Sequence, residues 1–268
     1  KLKTQLQITK KEIIKSREKI KKITIPKNNG IICITCRDEA YLKTYHHNKN
    51  FQYHSFRNSE VKSFIPLIKR LTKKKYFVIR MGKIADKSVD IKNKYFLDYP
   101  FCNIKSDLLD FYFAKNCKLW IGSNTGLDCL AVMFQKPMVL LNLSPASVIL
   151  HNVNNKKAVY HLKTYHMNNK KISFKEIFKK NFHTIGKTEI FKKKKIMLKS
   201  ASAKEITDIC FEGINFFLDK KKFVNNDVKN QNEYKKIISK LLKIKNNNFK
   251  SYFSPIFLKK NKWLLKKL

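Results

Sequence analysis

Acidic side chains, glycine and arginine are scarce in this chain. Its 268 residues include 19 Asp plus Glu against 59 Lys plus Arg, which gives a formal net charge of +40. Only six residues are glycine, and they form neither a Walker loop nor a Gly-x-Gly-x-x-Gly fingerprint. The most familiar phosphate-binding motifs are therefore excluded. Wholesale disorder is disfavoured as well, because 43% of the residues are hydrophobic and 12% are aromatic.

Long apolar runs are also missing. The longest uncharged stretch, residues 137–155, contains two prolines and four asparagines, so it is too broken to cross a bilayer as a helix. The chain starts at Lys1 and not at Met, so we treat it as a fragment. The six cysteines are scattered, and no second pair matches Cys33 and Cys36, so we expect free thiols in a reducing cytoplasm.

The excess of positive charge favours anionic partners. Lysines occur throughout the chain, as an AT-rich genome would produce, so we expect most of this charge on a solvated surface. The rest would attract nucleic acid or an anionic membrane surface. The five arginines are more informative than the lysines, because one guanidinium can donate two parallel hydrogen bonds to a phosphate.

Strands and helices alternate in the first half of the chain. Short apolar runs predict five strands, at residues 30–36, 76–80, 95–98, 118–121 and 137–141. Helical periodicity fills the intervals, with Ser106 as the predicted cap of one helix. This order predicts an α/β fold built on a Rossmann-like doubly wound parallel sheet.

The second half is less regular. Ser173 and Ser202 each begin a capping box, which predicts helices near 174–182 and 203–219. We expect three parts: an N-terminal linker helix at 1–29, the Rossmann-like domain at 30–200, and additional C-terminal helices with a basic aromatic tail at 201–268.

Ligands of open parallel sheets bind outside the carboxyl ends of the strands. The candidates that follow the first four strands are Arg37, Asp38, Arg80, Asp98, Tyr99, Ser123, Asn124, Thr125 and Gly126. The segment Gly122–Gly126 is the sharpest feature, because its glycines, hydroxyls and the start of a helix suit a phosphate. An ordinary capped turn would explain the same residues. Arg37 and Arg80, both predicted beside the turn, favour a diphosphate clamp.

The remaining polar candidates each have two interpretations. Asp107 and Asp110, one helical turn apart, would either complement the helix dipole and a loop or bind sugar hydroxyls. Asp38 would pair locally or bind a sugar, and Arg57 would pair at the surface or contact the ligand. No Asp-x-Asp motif is present to hold a divalent metal, so the sequence predicts neutralisation of phosphate by protein cations, with no metal site.

The ordered series of motifs resembles a glycosyltransferase family encoded in bacterial surface-polysaccharide clusters. The resemblance covers about half of the chain, residues 30–145 plus the tail. It is carried by Cys33–Tyr41, Phe56–Ser59, Val78–Gly82, Leu97–Tyr99, Lys105–Asp110, Trp120–Gly126 and Ser254–Asn261.

The resemblance implies the C-terminal, donor-binding half of a GT-B-like enzyme. Such an enzyme transfers sugar from a nucleoside-diphosphate sugar to a glycan or lipid-linked acceptor, without metal or cofactor, in the cytoplasm or peripherally at the inner membrane. The donor diphosphate would contact Arg37, Arg80, Ser123, Asn124, Thr125 and Gly126. Sugar contacts or loop orientation would fall to Arg57, Asn58, Asp98, Tyr99, Asp107 and Asp110. Asp38 is the candidate catalytic residue, although the base in GT-B enzymes usually comes from the other half.

Two other functions stay open. A basic nucleic-acid-binding module without catalysis would use Tyr252, Phe253 and Trp263, which lie among lysines in the tail. The arginines and glycines at the strand ends do not follow from that function. A fragment that binds a sugar nucleotide without turning it over is the third alternative.

Overall fold

A seven-stranded parallel sheet forms the centre of the molecule in the computed structural model, which describes residues 6–45, 52–152, 154–245 and 248–265. In chain order the strands are β1 (Ile31–Thr35), β2 (Phe77–Met81), β3 (Phe96–Asp98), β4 (Cys117–Gly122), β5 (Met138–Leu143), β6 (Ala158–Leu162), β7 (Thr164–Met167), β8 (Lys170–Lys171), β9 (Ile196–Lys199) and β10 (Tyr252–Phe253). The helices are α1 (Lys10–Ile20), α2 (Ala40–Tyr45), α3 (Ile65–Lys73), α4 (Asp107–Asn116), α5 (Asp128–Met133), α6 (Phe174–Lys179), α7 (Thr188–Lys193), α8 (Ala203–Phe217), α9 (Asn225–Leu241) and α10 (Pro255–Lys260).

The order of the strands creates a switch point. Across the sheet they run β3-β2-β1-β4-β5-β6-β10, and every strand pairing is parallel. The chain moves outward from β1 to β3, then returns to place β4 on the other side of β1. The connections that leave β1 and β4 therefore diverge, and this is the place at which open parallel sheets form their ligand crevice. This arrangement is compatible with the predicted Rossmann-like fold.

Both faces of the sheet are covered, which explains why its strands are apolar throughout instead of alternating with polar residues. On one face Ile32, Val78 and Ile121 pack against apolar residues of α3 and α8. On the other face Cys33, Ile79 and Trp120 pack with α4 and the C-terminal segments. All six of these strand side chains are fully buried. Each large apolar one stabilises the fold by roughly 1.5–3 kcal/mol relative to an exposed position.

Helix α8 approaches the sheet closely because it carries a glycine at the contact. A Cβ at Gly213 would overlap the side chain of Val139 on β5. The capping boxes predicted at Ser173 and Ser202 are confirmed at the starts of α6 and α8. Ser106 occupies the cap position of α4, but its side chain makes no capping hydrogen bond, so that part of the prediction is wrong.

The C-terminal segment belongs to the same sheet. Strand β10 pairs with β6, with Tyr252 opposite Val159, and α8 packs on the sheet. No structural break therefore separates the sheet from residues after 200, where the sequence places a boundary. The predicted N-terminal helix is confirmed for residues 10–20, and residues 1–5 lie outside the described chain.

The sequence does not reveal β6 or the small antiparallel sheet β8-β7-β9, both of which lie in its Lys/Asn-rich stretch. Within the described residues, no helix combines the length and the apolar character needed to cross a bilayer.

Candidate functional site

At the switch point, Arg37 lies next to the turn that follows β4. The main-chain nitrogen of Arg37 donates a hydrogen bond of 2.7 Å to Oγ of Ser123, which is fully buried. Ser123 thus joins the ends of two neighbouring strands, and its hydroxyl keeps a proton to donate, so its predicted contact with a phosphate stays a prediction. The sequence correctly places Arg37 beside this turn, while the role of Ser123 is to hold the two segments together.

Arg57 reaches the same turn from a different loop. Its Nη2 donates to the main-chain oxygen of Asn124 over 2.9 Å. The loop itself is held by Lys163, whose Nζ donates to the main-chain oxygens of Phe56 (2.9 Å) and Asn58 (2.7 Å). Lys163 is almost completely buried, and burial lowers its pKa to about 8. Lys163 therefore fixes the position of the loop that carries Arg57.

The charge of Arg57 acts on Arg37, and neither guanidinium group forms an ion pair among the described residues. Nε of Arg37 and Nε of Arg57 are both buried without a hydrogen-bond partner. In the described part of the chain, neither group has a carboxylate within ion-pairing distance. Burial lowers the pKa of Arg37 to about 10, and the charge of Arg57 adds to this effect. Burial lowers the pKa of Arg57 as well. An anion placed between them would supply acceptors and relieve their repulsion.

A buried carboxylate organises the turn from beneath. Asp128 accepts hydrogen bonds from the Thr35 hydroxyl (2.6 Å), Nε1 of Trp120 (2.9 Å) and the main-chain nitrogen of Thr125 (2.9 Å). A Cβ at Gly122 would lie 2.8 Å from this carboxyl group, so glycine is needed there. Burial raises the pKa of Asp128, and the hydrogen bonds oppose that rise.

Two hydrogen-bond donors of the turn already have partners within the protein. Helix α5 has only six residues, and the main-chain nitrogen of Thr125 is already bonded to Asp128. The side-chain amide of Asn124 donates to the oxygen of Ser144 over 3.1 Å. Gly126 is exposed, and a Cβ there would contact nothing. The turn therefore helps to position Arg57, while the Thr125 hydroxyl is buried without a partner, and the predicted phosphate contacts of the turn stay a prediction.

Arg80 makes different contacts from Arg37 and Arg57. Its side chain is 2% exposed, and Nη1 donates to the carboxylate of Asp98 (3.3 Å) and to the oxygen of Lys87 (2.7 Å). Asp98 also accepts from the nitrogen of Val89 over 2.7 Å. These contacts close the loop between β2 and β3. The place predicted for Arg80 in a diphosphate clamp stays a prediction, and its contacts are internal.

Asp38 and Asn58 serve loop connections. The carboxylate of Asp38 accepts from the nitrogens of Ala40 (3.0 Å) and Asp86 (3.1 Å), which joins the loops after β1 and β2. The amide of Asn58 donates to Glu39 over 3.1 Å. Tyr99, Asp107 and Asp110 meet at a separate cavity beside α4.

Sequence reasoning missed Lys163 and Asp128. A lysine directly after an apolar run is the signal for Lys163, but it is visible only once β6 is recognised. Among the described residues, no group of three His, Cys, Asp or Glu side chains is arranged to hold a metal ion. Comparisons with protein-family models, with curated proteins and with solved structures give no match.

Proposed function

We propose that the switch-point crevice binds the diphosphate of a nucleoside-diphosphate sugar and that the protein is a glycosyltransferase. The observation that supports this most is the pair Arg37 and Arg57, two half-buried guanidinium groups whose Nε atoms have no hydrogen-bond partner and which form no ion pair among the described residues. The crevice lies at the switch point of a parallel sheet, where α/β proteins bind their ligands. A GT-B arrangement, with this chain as the donor-binding half, is part of the proposal.

In the proposed reaction the acceptor oxygen forms a bond to the anomeric carbon of the donor. The bond from that carbon to the phosphate oxygen breaks, and its electron pair leaves with the diphosphate. The negative charge on the leaving group therefore grows in the transition state, and Arg37 and Arg57 would stabilise it. Because Lys163 and Asp128 hold both segments in place, little reorganisation of the site would be needed at that moment.

The hydroxyl proton of the acceptor needs a separate base. Asp38 is the candidate from the sequence, but its carboxylate already accepts two main-chain hydrogen bonds. Asp128 is buried under the turn and also bonded. The proposal therefore assigns no base at the switch point.

The alternative, a nucleic-acid-binding module, keeps only part of the support that the tail aromatics give it. Phe253 is fully buried, where it contacts Tyr160 and Tyr234. Tyr252 packs edge-on against Phe216. Phe253 therefore belongs to the protein interior and cannot stack on a base, whereas Tyr252 and Trp263 are partly exposed, with Lys235 and Lys171 beside their rings.

The test is the midpoint of thermal unfolding, measured with pyrophosphate, UDP, GDP, ADP, CMP and their common sugars, beside a random oligonucleotide. A ligand that binds only the folded state raises the midpoint. We expect a rise with pyrophosphate and a larger rise with one nucleotide. The rise should be lost in Arg57→Gln and kept in Arg17→Gln, which removes an exposed arginine on α1. If only the oligonucleotide stabilises the protein, and high salt abolishes this, the glycosyltransferase proposal is wrong.

A further inference from the structure

A cavity of about 350 Å³ lies beside the switch point, at the carboxyl ends of β2 and β3. Its walls come from four segments: the end of α2, the loops after β2 and β3, and the first turn of α4. The residues that line it include Tyr45, Lys83, Tyr99, Ser106, Asp107 and Asp110. No residue of the Arg37 and Arg57 pair lines it, so it is a second site on the same edge of the sheet.

Two oxygen atoms in the wall lack partners. Oδ1 of Asp110 and Oγ of Ser106 are both shielded from solvent and have no hydrogen-bond partner, while the Tyr99 hydroxyl lies near enough to the Asp110 carboxyl group to lower its pKa. The Ser106 hydroxyl stands at the cap position of α4 but does not cap the helix. A buried polar atom without a partner destabilises a protein, so two of them at one cavity indicate that a ligand supplies the missing partners. Both would be satisfied by hydroxyl groups of a ligand.

The wall is held in place without any ligand. The Tyr99 hydroxyl donates to the main-chain oxygen of Ser106 (3.0 Å) and accepts from its nitrogen (2.9 Å). Nζ of Lys105 donates to the oxygens of Pro100 (2.6 Å) and Lys83 (3.2 Å). Lys105 is therefore occupied in holding two loops together.

The charges around the cavity favour a neutral ligand. Lys83 lies 3.7 Å from the carboxylate of Asp107, so this lysine of the wall already has an acidic partner. Burial raises the pKa of Asp110 to about 6; the Tyr99 hydroxyl opposes this rise and the charge of Asp107 adds to it. The protein as a whole has a net charge of +40, but the acids and bases around this cavity balance each other. The cavity would therefore not attract a phosphate.

An aromatic ring completes the wall. Tyr45 is 47% exposed, and the ammonium of Lys83 lies 5.5 Å from its ring centroid. A half-exposed ring beside hydroxyl-binding oxygens suits the apolar face and the polar edge of a sugar.

We propose that this cavity binds a vicinal diol of a sugar ring, with Oδ1 of Asp110 accepting from one hydroxyl and Oγ of Ser106 bonding to the other. The inference rests on the proposed function for the source of that diol. One source is the ribose of the donor nucleotide, and the other is a separate sugar such as the acceptor.

The experiment measures binding in two arms. Calorimetry compares UDP, GDP, ADP and CDP with their 2′,3′-dideoxy forms, and with pyrophosphate. Saturation-transfer NMR measures methyl glucoside, methyl galactoside and methyl mannoside. The variants are Asp110→Ala and Ser106→Ala, with Asp90→Ala as the control, because Asp90 is an exposed acid outside the cavity wall. Ser106→Ala should keep the wild-type unfolding midpoint, since its hydroxyl makes no cap bond.

If ribose is the source, the ribonucleotide binds roughly tenfold more tightly than its dideoxy form. Asp110→Ala removes that difference, and Asp90→Ala does not. If a separate sugar is the source, the two nucleotide forms bind equally and Asp110→Ala abolishes the signal of a methyl glycoside.

The proposal is overturned if Asp110→Ala changes neither the ribose preference nor glycoside binding. It is also overturned if a ribose preference persists unchanged in that variant. Failure of pyrophosphate to bind would count against the Arg37 and Arg57 site alone, because the glycoside arm requires no anion binding.

Discussion

Nη2 of Arg57 and the main-chain oxygen of Asn124 lie 2.9 Å apart, which joins the loop before α3 to the turn after β4. Asn124 has a φ of 65°, a left-handed conformation that asparagine tolerates better than most residues. Its side chain is anchored to the oxygen of Ser144. The conformation of the turn and the placement of the guanidinium are thus coupled. A lysine at position 57 could not both hold the Asn124 oxygen and contact a ligand.

The first prediction concerns Arg57→Lys. Lysine keeps the charge but loses the planar fork, so it cannot hold the Asn124 oxygen and a phosphate at the same time. We expect pyrophosphate to bind at least about tenfold more weakly, with little change in folding. Calorimetry on the folded variant measures this, with Arg17→Lys as the control. Wild-type affinity would show that Arg57 acts only through the turn.

The second prediction concerns Arg80→Lys, which separates an internal ion pair from a ligand contact. Lysine cannot span Asp98 and the Lys87 oxygen, so the buried carboxylate of Asp98 loses part of its compensation. We expect a loss of about 2–4 kcal/mol in the free energy of unfolding. Affinity for pyrophosphate should be unchanged.

Urea unfolding and calorimetry on the same Arg80→Lys preparation provide both numbers. Normal stability with a tenfold weaker pyrophosphate affinity would restore Arg80 to the diphosphate clamp that the sequence predicts.

The sequence predicts the first five strands of the sheet well, because each is a short apolar run between turn residues. It also places Arg37 beside the Gly122–Gly126 turn, since parallel strands end at a common edge. It does not predict β6 or the buried Lys163. Lysine-rich surroundings hide the strand, and whether a lysine is buried depends on distant segments such as the Phe56 loop.

The roles of individual polar residues were harder to predict than their positions. Ser123 and Arg80 lie where the strand ends place them, but their side chains make internal contacts. Spacing along the chain cannot show whether a polar side chain is free, because its partner comes from another segment 18 or more residues away, as Asp98 at the end of β3 does for Arg80. Arg57 is the opposite case. The sequence leaves two interpretations open for it, and the structure places its side chain at the switch point.

The third prediction concerns Asp128→Ala. Removal of the carboxylate leaves the Trp120 indole and the Thr35 hydroxyl without their acceptor in a buried site. We expect a loss of about 2–4 kcal/mol in the free energy of unfolding. The double variant with Trp120→Phe should lose less than the sum of the single losses, because both remove the same hydrogen bond. Additive losses in urea unfolding would show that the two residues act independently.

The last prediction concerns pH and Glu212 on α8. Its carboxylate accepts from the Ser254 hydroxyl (2.6 Å) and the nitrogen of Ile256 (3.1 Å), and so holds the start of α10. Burial nevertheless raises the pKa of Glu212 to about 7, more than these hydrogen bonds lower it. The folded state therefore binds this proton more tightly than the unfolded state does, and the contribution of Glu212 to stability falls as pH rises from about 4.5 to 7. Glu212→Gln should remove this dependence, so that the variant gains on the order of 1–3 kcal/mol relative to wild type across that range. Urea unfolding at pH 4.5, 6 and 7.5 measures the difference, with the exposed Glu233→Gln as the control. A difference that stays constant with pH would mean that Glu212 has the same pKa in the folded and unfolded states, so that its hydrogen bonds balance the effect of its burial.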